Sequence, residues 1–342
     1  MKRTVIAVAL FIASAFTPAL SQTTPDCRSL ILDPATVKKG IEVCTGVIES
    51  GRFSGADLAD VLVIRGYGYN ETGDFDKAIA DFDKALTLNP KSAFAFINRG
   101  KSYLQKVEID RALADFEESL RLDPNLPDTY LHRGAALETK GELVRALADY
   151  DRAIQLDPAY AEAWQQRARY HARKKDYDRA IADYTEVIRL SGSHAEAYYE
   201  RGVAHSERKN FNPALEDLSK AIELAPAEPA YWNSRCWLRA INHRELEEAL
   251  KDCDRALELK PDYVPALDSR ALLKVLLGRF DQAIADYDAV LKIEPKIPAS
   301  LFGRGIARLR KGDTAGGNAD IEAAKAIDPG IAEEFVGYGV KP

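Results

Sequence analysis

A repeat of 34 residues constrains this chain more than any other feature. Ala161–His194 reads AEAWQQRARYHARKKDYDRAIADYTEVIRLSGSH, and the next 34 residues, Ala195–Glu228, read AEAYYERGVAHSERKNFNPALEDLSKAIELAPAE. Extended both ways, the period gives eight units: 59–92, 93–126, 127–160, 161–194, 195–228, 229–263, 264–297 and 298–331. The sixth holds one extra residue near Asn242-His243. Counting each unit from its first residue and discounting that insertion, position 8 is small (Gly66, Gly100, Gly134, Ala168, Gly202, Cys236, Ala271, Gly305) and position 20 is alanine except at Gly317. Position 24 is bulky in most units (Phe82, Phe116, Tyr150, Tyr184, Leu218, Tyr287, Ile321, with Cys253 in the sixth). Position 32 is proline except at Gly192.

These spacings describe two helices per unit. Positions 4, 8 and 11 share one face of a first helix, and positions 20, 24 and 27 one face of a second. Small residues let the two backbones approach, and the bulky ones fill the space beside them. Gly73, Gly141, Gly278 and Gly312 at position 15 provide a turn, and the proline at 32 stops the second helix. One such pair cannot bury its own apolar face, so neighbouring pairs must stack.

Over residues 59–331, about 80% of the sequence, this pattern resembles the tetratricopeptide repeat family. The resemblance implies an all-α fold, a right-handed α-α superhelical solenoid of eight helix-turn-helix repeats. Residues 22–58 read as a helical N-terminal cap, with Val37–Ser50 like a second helix, and residues 332–342 as a truncated first helix covering the final repeat. The chain departs from the family at Gly192, where the terminating proline is missing, and at Gly316-Gly317, which weaken the second helix of the last unit. Family ligands are peptides held in a groove lined by first-helix positions 2, 5, 9, 12 and 13. Here those positions offer Val63, Tyr67, Phe94 and Ile97, then a charged middle (Glu162, Arg169, Arg173, Glu196, Glu207), then an apolar stretch of Trp237, Leu272, Val275, Leu276, Phe302, Ile306 and Leu309. Several of these either meet a ligand or pack between neighbouring helices; the sequence leaves both open. The family's two-carboxylate clamp needs Lys and Asn at positions 5 and 9. Val63 and Tyr67, Ile97 and Lys101, and Leu131 and Ala135 stand there instead, which argues against a chaperone-tail adaptor.

One feature is stricter than the family pattern. Position 7 is arginine in all eight units (Arg65, Arg99, Arg133, Arg167, Arg201, Arg235, Arg270, Arg304), and position 23 is aspartate in all eight (Asp81, Asp115, Asp149, Asp183, Asp217, Asp252, Asp286, Asp320). The arginines could form a polyanion-binding row or a repeated structural ion pair. Equal numbers of carboxylates, and the need of a desolvated charge for a partner, favour the ion pair. Whether that partner lies in the same repeat or the next is not legible in sequence.

The chain begins with Lys2 and Arg3, an uncharged apolar run from Val5 to Phe16, and Pro18-Ala19-Leu20-Ser21 before Gln22. This is the pattern of a cleaved secretory signal peptide, residues 1–21, with the cut after Ser21; an uncleaved anchor is the alternative. A periplasmic or secreted protein is expected. The four cysteines fit that compartment, since Cys27 and Cys44, like Cys236 and Cys253, are 17 residues apart. They read as two local disulfides, against reduced core thiols or a zinc site split across the chain.

Hydrophobic residues at 46% and charged residues at 29% mark a foldable chain. Net charge is −6, and removing residues 1–21 takes two cations and no acids, leaving −8. That balance disfavours a nucleic-acid partner. No catalytic motif emerges: His132, His171, His194, His205 and His243 fall in no HExxH, and GxSxG and phosphate-loop glycines are missing. No cofactor or metal is implied, and an enzyme is not expected. The expectation is an exported scaffold that binds an unidentified protein or peptide. The alternatives are an envelope-assembly factor recognising a polymer or glycan-bearing partner, or an accessory subunit of an envelope enzyme complex.

Overall fold

A computed structural model describes residues 25–340, so the signal sequence and its cleavage point lie outside the described residues. Every regular element among the described residues is a helix. Contacts divide the chain into two units, one ending at Gln166 and one starting at Arg167.

In the first unit, α1 (Pro25–Leu32) and α2 (Val37–Glu49) form a pair closed by a Cys27–Cys44 disulfide, with Cα atoms 5.2 Å apart. Three further pairs follow: α3 (Gly55–Glu71) with α4 (Phe75–Leu88), α5 (Ala93–Gln105) with α6 (Ile109–Leu122), and α7 (Pro127–Thr139) with α8 (Leu143–Leu156). Helix α9 (Ala161–Arg173) contains the boundary. The second unit continues with α10 (Tyr177–Ser191), then α11 (Ala195–Glu207) with α12 (Phe211–Leu224), and α13 (Pro229–Ile241) with α14 (Leu246–Leu259). After these come α15 (Val264–Leu276) with α16 (Phe280–Ile293), α17 (Pro298–Arg310) with α18 (Thr314–Ile327), and a last short helix, α19 (Ile331–Gly337). A Cys236–Cys253 disulfide joins α13 to α14, with Cα atoms 5.5 Å apart.

Helix α6 shows why the second helices form and which way they face. Ala112, Leu113, Phe116 and Ser119 are buried along one stripe, while Arg111, Ala114, Glu117 and Arg121 face solvent. The Phe116 ring fills the space that Gly100 leaves on α5. A Cβ at Gly100 would lie 2.7 Å from that ring, and the same relation holds between Gly66 and Phe82 and between Gly134 and Tyr150. In the first three repeats and the eighth, the second helix ends where Asn or Asp precedes proline. Asp123, Asp157 and Asp328 each accept the backbone N–H two residues on, closing a small turn as the helix stops. Gly192 stands where the fourth repeat lacks its proline, and α10 runs one residue longer than α8 or α12 before Gly192 takes φ 71°. Gly316 and Gly317 do not interrupt α18, which is helical from Thr314 to Ile327. A Cβ at Gly317 would sit 2.7 Å from Leu309, so the glycine allows α17 and α18 to close on each other.

The turn after the first helix shows more uniformity than its sequence. Position 15 is left-handed in every repeat. Gly73, Gly141, Gly278 and Gly312 adopt it, and so do Val107, Lys175, Lys209 and His243, at φ between 51 and 62°. Its hydrogen bonds explain why. Val107 N–H donates to the Leu104 carbonyl and Glu108 N–H to the Tyr103 carbonyl, the same pattern that Gly73 and Asp74 make with Asn70 and Tyr69. The extra residue of the sixth repeat is absorbed just after this turn, with Glu245 also left-handed at φ 49°.

Candidate protein-binding site

The arginine at position 7 and the aspartate at position 23 meet within each repeat. Arg201 donates from Nε to Asp217 Oδ2 at 2.8 Å and from Nη2 to Oδ1 at 2.7 Å. The same two-pronged pair joins Arg65 to Asp81, Arg99 to Asp115, Arg133 to Asp149, Arg167 to Asp183, Arg235 to Asp252, Arg270 to Asp286 and Arg304 to Asp320. All eight aspartates are buried, between 3 and 7% exposed, so the carboxylates are spent inside the repeats. The hydrogen bond to Asp217 raises the Arg201 pKa above its ordinary value, against the opposing effect of burial.

The third arginine nitrogen reaches further. Arg99 Nη1 donates to Asp83, Arg201 to Thr185, Arg235 to Ser219, Arg270 to Asp254 and Arg304 to Asp288, each on the second helix of the preceding repeat. Arg65 makes the equivalent bond to Thr45 of the cap at 3.0 Å. These acceptors all stand at position 25, two residues past the aspartate. Sequence reading missed them, although the run of Asp, Ser and Thr at that position was the available signal. The arginine also lies over the aromatic residue at position 4, with Arg235 5.3 Å from the Trp232 ring centroid and Arg133 5.5 Å from that of Tyr130. The guanidinium is thereby engaged on its edges and on one face, which leaves it little to offer a polyanion.

The proposed groove residues divide by burial. In the first unit, Val63 and Ile97 are buried between helices, at 8 and 3% exposure, while Tyr67 and Phe94 are half-buried. Tyr67 and Phe94 line a shallow depression with Arg28, Ile31, Leu32, Val63, Ile64 and Asn98. It encloses ≈ 20 Å³, enough for the tip of one side chain and far below the few hundred Å³ of a small-molecule pocket. A polar cluster built on α5, α7 and Tyr160 belongs to the same unit. Asp128 accepts from the Tyr160 hydroxyl at 2.8 Å and lies 3.2 Å from His132 Nε2 and 3.5 Å from Lys101 Nζ. Burial opposes the Asp128 charge, yet Lys101 and His132 prevail and hold the carboxyl well below the usual carboxylate range.

In the second unit, Arg169 donates to Glu196 at 2.5 Å, and Arg173 lies at the exposed end of α9. Tyr199 and Tyr231 stack with centroids 4.7 Å apart. The apolar stretch is not open surface. Leu272, Phe302 and Ile306 are 2, 0 and 1% exposed, and Trp237 and Leu276 are partly covered. What covers them is the chain's own C-terminus. Phe335 packs on Phe302 with centroids 4.9 Å apart, and Tyr338 packs edge-on against Trp237 at 5.1 Å. Ile331, Phe335 and Val340 are buried in the same cluster as Leu272, Phe302 and Ile306. This short helix, α19, contacts both helices of the final repeat, α17 and α18. After seven residues α19 gives way at Gly337 and Gly339, and the chain turns back to reach Trp237 in the sixth repeat.

Nothing in this arrangement points to catalysis. Among the described residues no group of three or more His, Cys, Asp or Glu side chains could hold a metal ion. No described helix is long and apolar enough to cross a membrane.

Comparison with known proteins bears on the repeats. Tetratricopeptide repeat models match residues 195–227, residues 161–194, and residues 97–161 with 269–330; a TPR repeat model matches residues 66–107. No curated protein matches the sequence. The C-terminal part of a TPR repeat-containing protein from Cytophaga hutchinsonii is 19% identical, with 70% of this chain and 98% of that one covered and a TM-score of 0.58. A tetratricopeptide repeat protein from Parabacteroides merdae is 15% identical, over 78% of this chain and 98% of that one, at 0.53. A chain of the APC/C hetero-tetramer Cut9–Hcn1 is 17% identical, over 89% of this chain and 58% of that one, at 0.57. At these identities the likeness is one of fold. The family matches, together with the repeated helix pairs, place the chain among the tetratricopeptide-repeat proteins, an all-α scaffold whose typical role is contact with other proteins.

Proposed function

We propose that this chain is an exported, non-catalytic scaffold that recruits a protein or peptide through the first-helix face of its N-terminal repeats. The observation that carries the reading is the depression beside Tyr67 and Phe94, an apolar floor with Arg28 and Asn98 among its lining residues. Aromatic side chains that keep part of their surface exposed beside polar groups are characteristic of protein interfaces. Its small enclosed volume favours a side chain presented by a peptide over a free small molecule. The half-buried, paired arginine row argues for the same class of partner, because its charge is neutralised inside each repeat.

Export rests on the leader-like residues 1–21 and on the two cysteine pairs, each joined within one helix pair. N-terminal sequencing of the purified chain should begin at Gln22, and thiol alkylation without reductant should label none of the four cysteines. An intact Met1 with four reactive thiols would refute export. For the binding surface, the tagged chain and a Tyr67→Asp/Phe94→Asp variant should be cross-linked in the native host. A partner retained by the wild type and lost by the folded variant supports the site. Equal recovery of every partner by both would remove it.

A further inference from the structure

Position 11 of the first helix changes character along the second unit. In repeats six to eight it is basic, and its side chain adds a second cation to the aspartate at position 23. Arg239 donates to Asp252, Lys274 to Asp286 at 2.6 Å and Arg308 to Asp320 at 2.8 Å. In repeats four and five the same position holds His171 and His205. A titratable ring thus stands in the slot where the later repeats carry a permanent charge.

The imidazole does not take over the role of the longer bases. His205 Nδ1 is buried and has no hydrogen-bond partner, so the site accommodates the neutral ring with its proton on Nε2. A second proton would put an N–H where no acceptor stands, and an unmet buried donor is costly. The surroundings do little to offset this. Asp217 on α12 is already held by two nitrogens of Arg201, and Arg201 itself repels a second cation. On the neighbouring helices, α10 meets this pair with the neutral Thr185 hydroxyl, and α13 packs the apolar Leu238 with Ala214 and Leu218. Burial therefore prevails over Asp217 and, together with Arg201, holds the His205 pKa below its ordinary value. Burial lowers His171 as well, which is 6% exposed. There Asp183 on α10 and Asp176 just ahead of it oppose the shift, while Arg167 on α9 and Arg179 on α10 add to it.

We propose that His171 and His205 make repeats four and five an acid-sensitive segment of the second unit, closed while both rings are neutral and locally open once they take up protons. Repeats six to eight, whose position 11 carries a fixed cation on the aspartate, keep their packing. A histidine held neutral by the fold leaves stability intact above its unfolded pKa of about 6.5 and lowers it as pH falls below that value. In a stacked array each repeat is held by its own packing and by its neighbours, so two adjacent repeats can open without the whole chain unfolding. The device is independent of the depression at Tyr67 and Phe94, and its test touches neither residue.

The experiment is hydrogen exchange read by mass spectrometry on the full chain at about pH 7.5 and about pH 5, with opening constants corrected for the intrinsic exchange rate. In wild type, α9 to α12 should open several-fold more at the lower pH, and α15 to α18 should not change. His171→Gln/His205→Gln keeps polar side chains that do not titrate and should lose that response. His205→Leu, which copies Leu137 at position 11 of the third repeat, should lose part of it. NMR titration of the His205 ring should give a midpoint below the ordinary histidine value of about 6.5. If His205→Leu fails to fold, the glutamine variant carries the test alone. An equal acid response in wild type and the double variant would overturn the proposal, as would opening in α15 to α18 in place of α9 to α12. Acid that tightens α9 to α12 would also overturn it, since imidazolium would then pair with Asp217 as Arg239 does with Asp252.

Discussion

Asp217→Asn tests whether the buried ion pairs hold the repeats together. The substitution keeps the shape of the side chain and removes its charge. Arg201 then faces one oxygen and one NH2 where two carboxylate oxygens stood at 2.7 and 2.8 Å, so one charge-assisted hydrogen bond is lost and a donor meets a donor. Removing one partner of a buried pair costs about 3–5 kcal/mol. Here the arginine side chain keeps 19% exposure and a bond to Thr185 Oγ1, which lowers the expected loss to about 2–3 kcal/mol. Spread over an unfolding entropy of about 2 cal/mol/K per residue for this 342-residue chain, that is a fall in Tm of about 4 °C if the array melts as one. Urea denaturation followed by far-UV circular dichroism measures the loss directly. Arg201→Met combined with Asp217→Leu should recover most of it, because apolar groups of similar volume leave no orphaned charge. Asp252→Asn should cost more, since Arg239 as well as Arg235 is paired to that carboxylate. A loss below about 0.5 kcal/mol for Asp217→Asn, or no coupling in the Arg201/Asp217 double-mutant cycle, would refute the reasoning.

Val107 is β-branched, 72% exposed and left-handed at φ 62°, so Val107→Gly should stabilise the chain by about 0.5–1 kcal/mol in the same urea assay, the relief of αL strain exceeding glycine's added unfolded-state entropy; an unchanged or lower midpoint would count against the turn geometry. Cys236→Ala/Cys253→Ala opens a loop of 17 residues and should lower stability by about 3 kcal/mol, with most of the difference vanishing when both proteins are measured in reductant. Asp60 has its carboxyl pushed up to about 6, first by burial and then by Asp57. An acid whose folded pKa is raised loses stability as pH climbs from the unfolded value near 4 through 6, so Asp60→Asn should be more stable than wild type by about 1 kcal/mol at pH 7, after discounting for its partial exposure, and should match it near pH 4. A gain that persists at pH 4 would mean that the carboxylate charge is not its source.

The sequence by itself determined the repeat. A strict period, small residues where two backbones touch, and proline where a helix must stop are local requirements, and each leaves a residue type at a fixed position. The invariance of Arg and Asp at positions 7 and 23 likewise marked a paired charge in every unit, because a buried ion leaves no freedom of residue choice. Tertiary structure alone decided three things. It chose the partner of each arginine, since the same spacing allows pairing within a repeat or across two, and it added the position-25 acceptors on the neighbouring helix. It showed that position 15 is left-handed in all eight repeats, because hydrogen bonds to the preceding helix enforce a backbone conformation that Val107 and three other non-glycine residues do not announce. It also determined which apolar first-helix residues are surface. Tyr67 keeps partial exposure, whereas Leu272, Phe302 and Ile306 are covered by a C-terminal segment that lies 25 or more residues further along the chain. Burial is set by contacts made through space, so a residue pattern can place a side chain on a face and leave undetermined what comes to lie upon it.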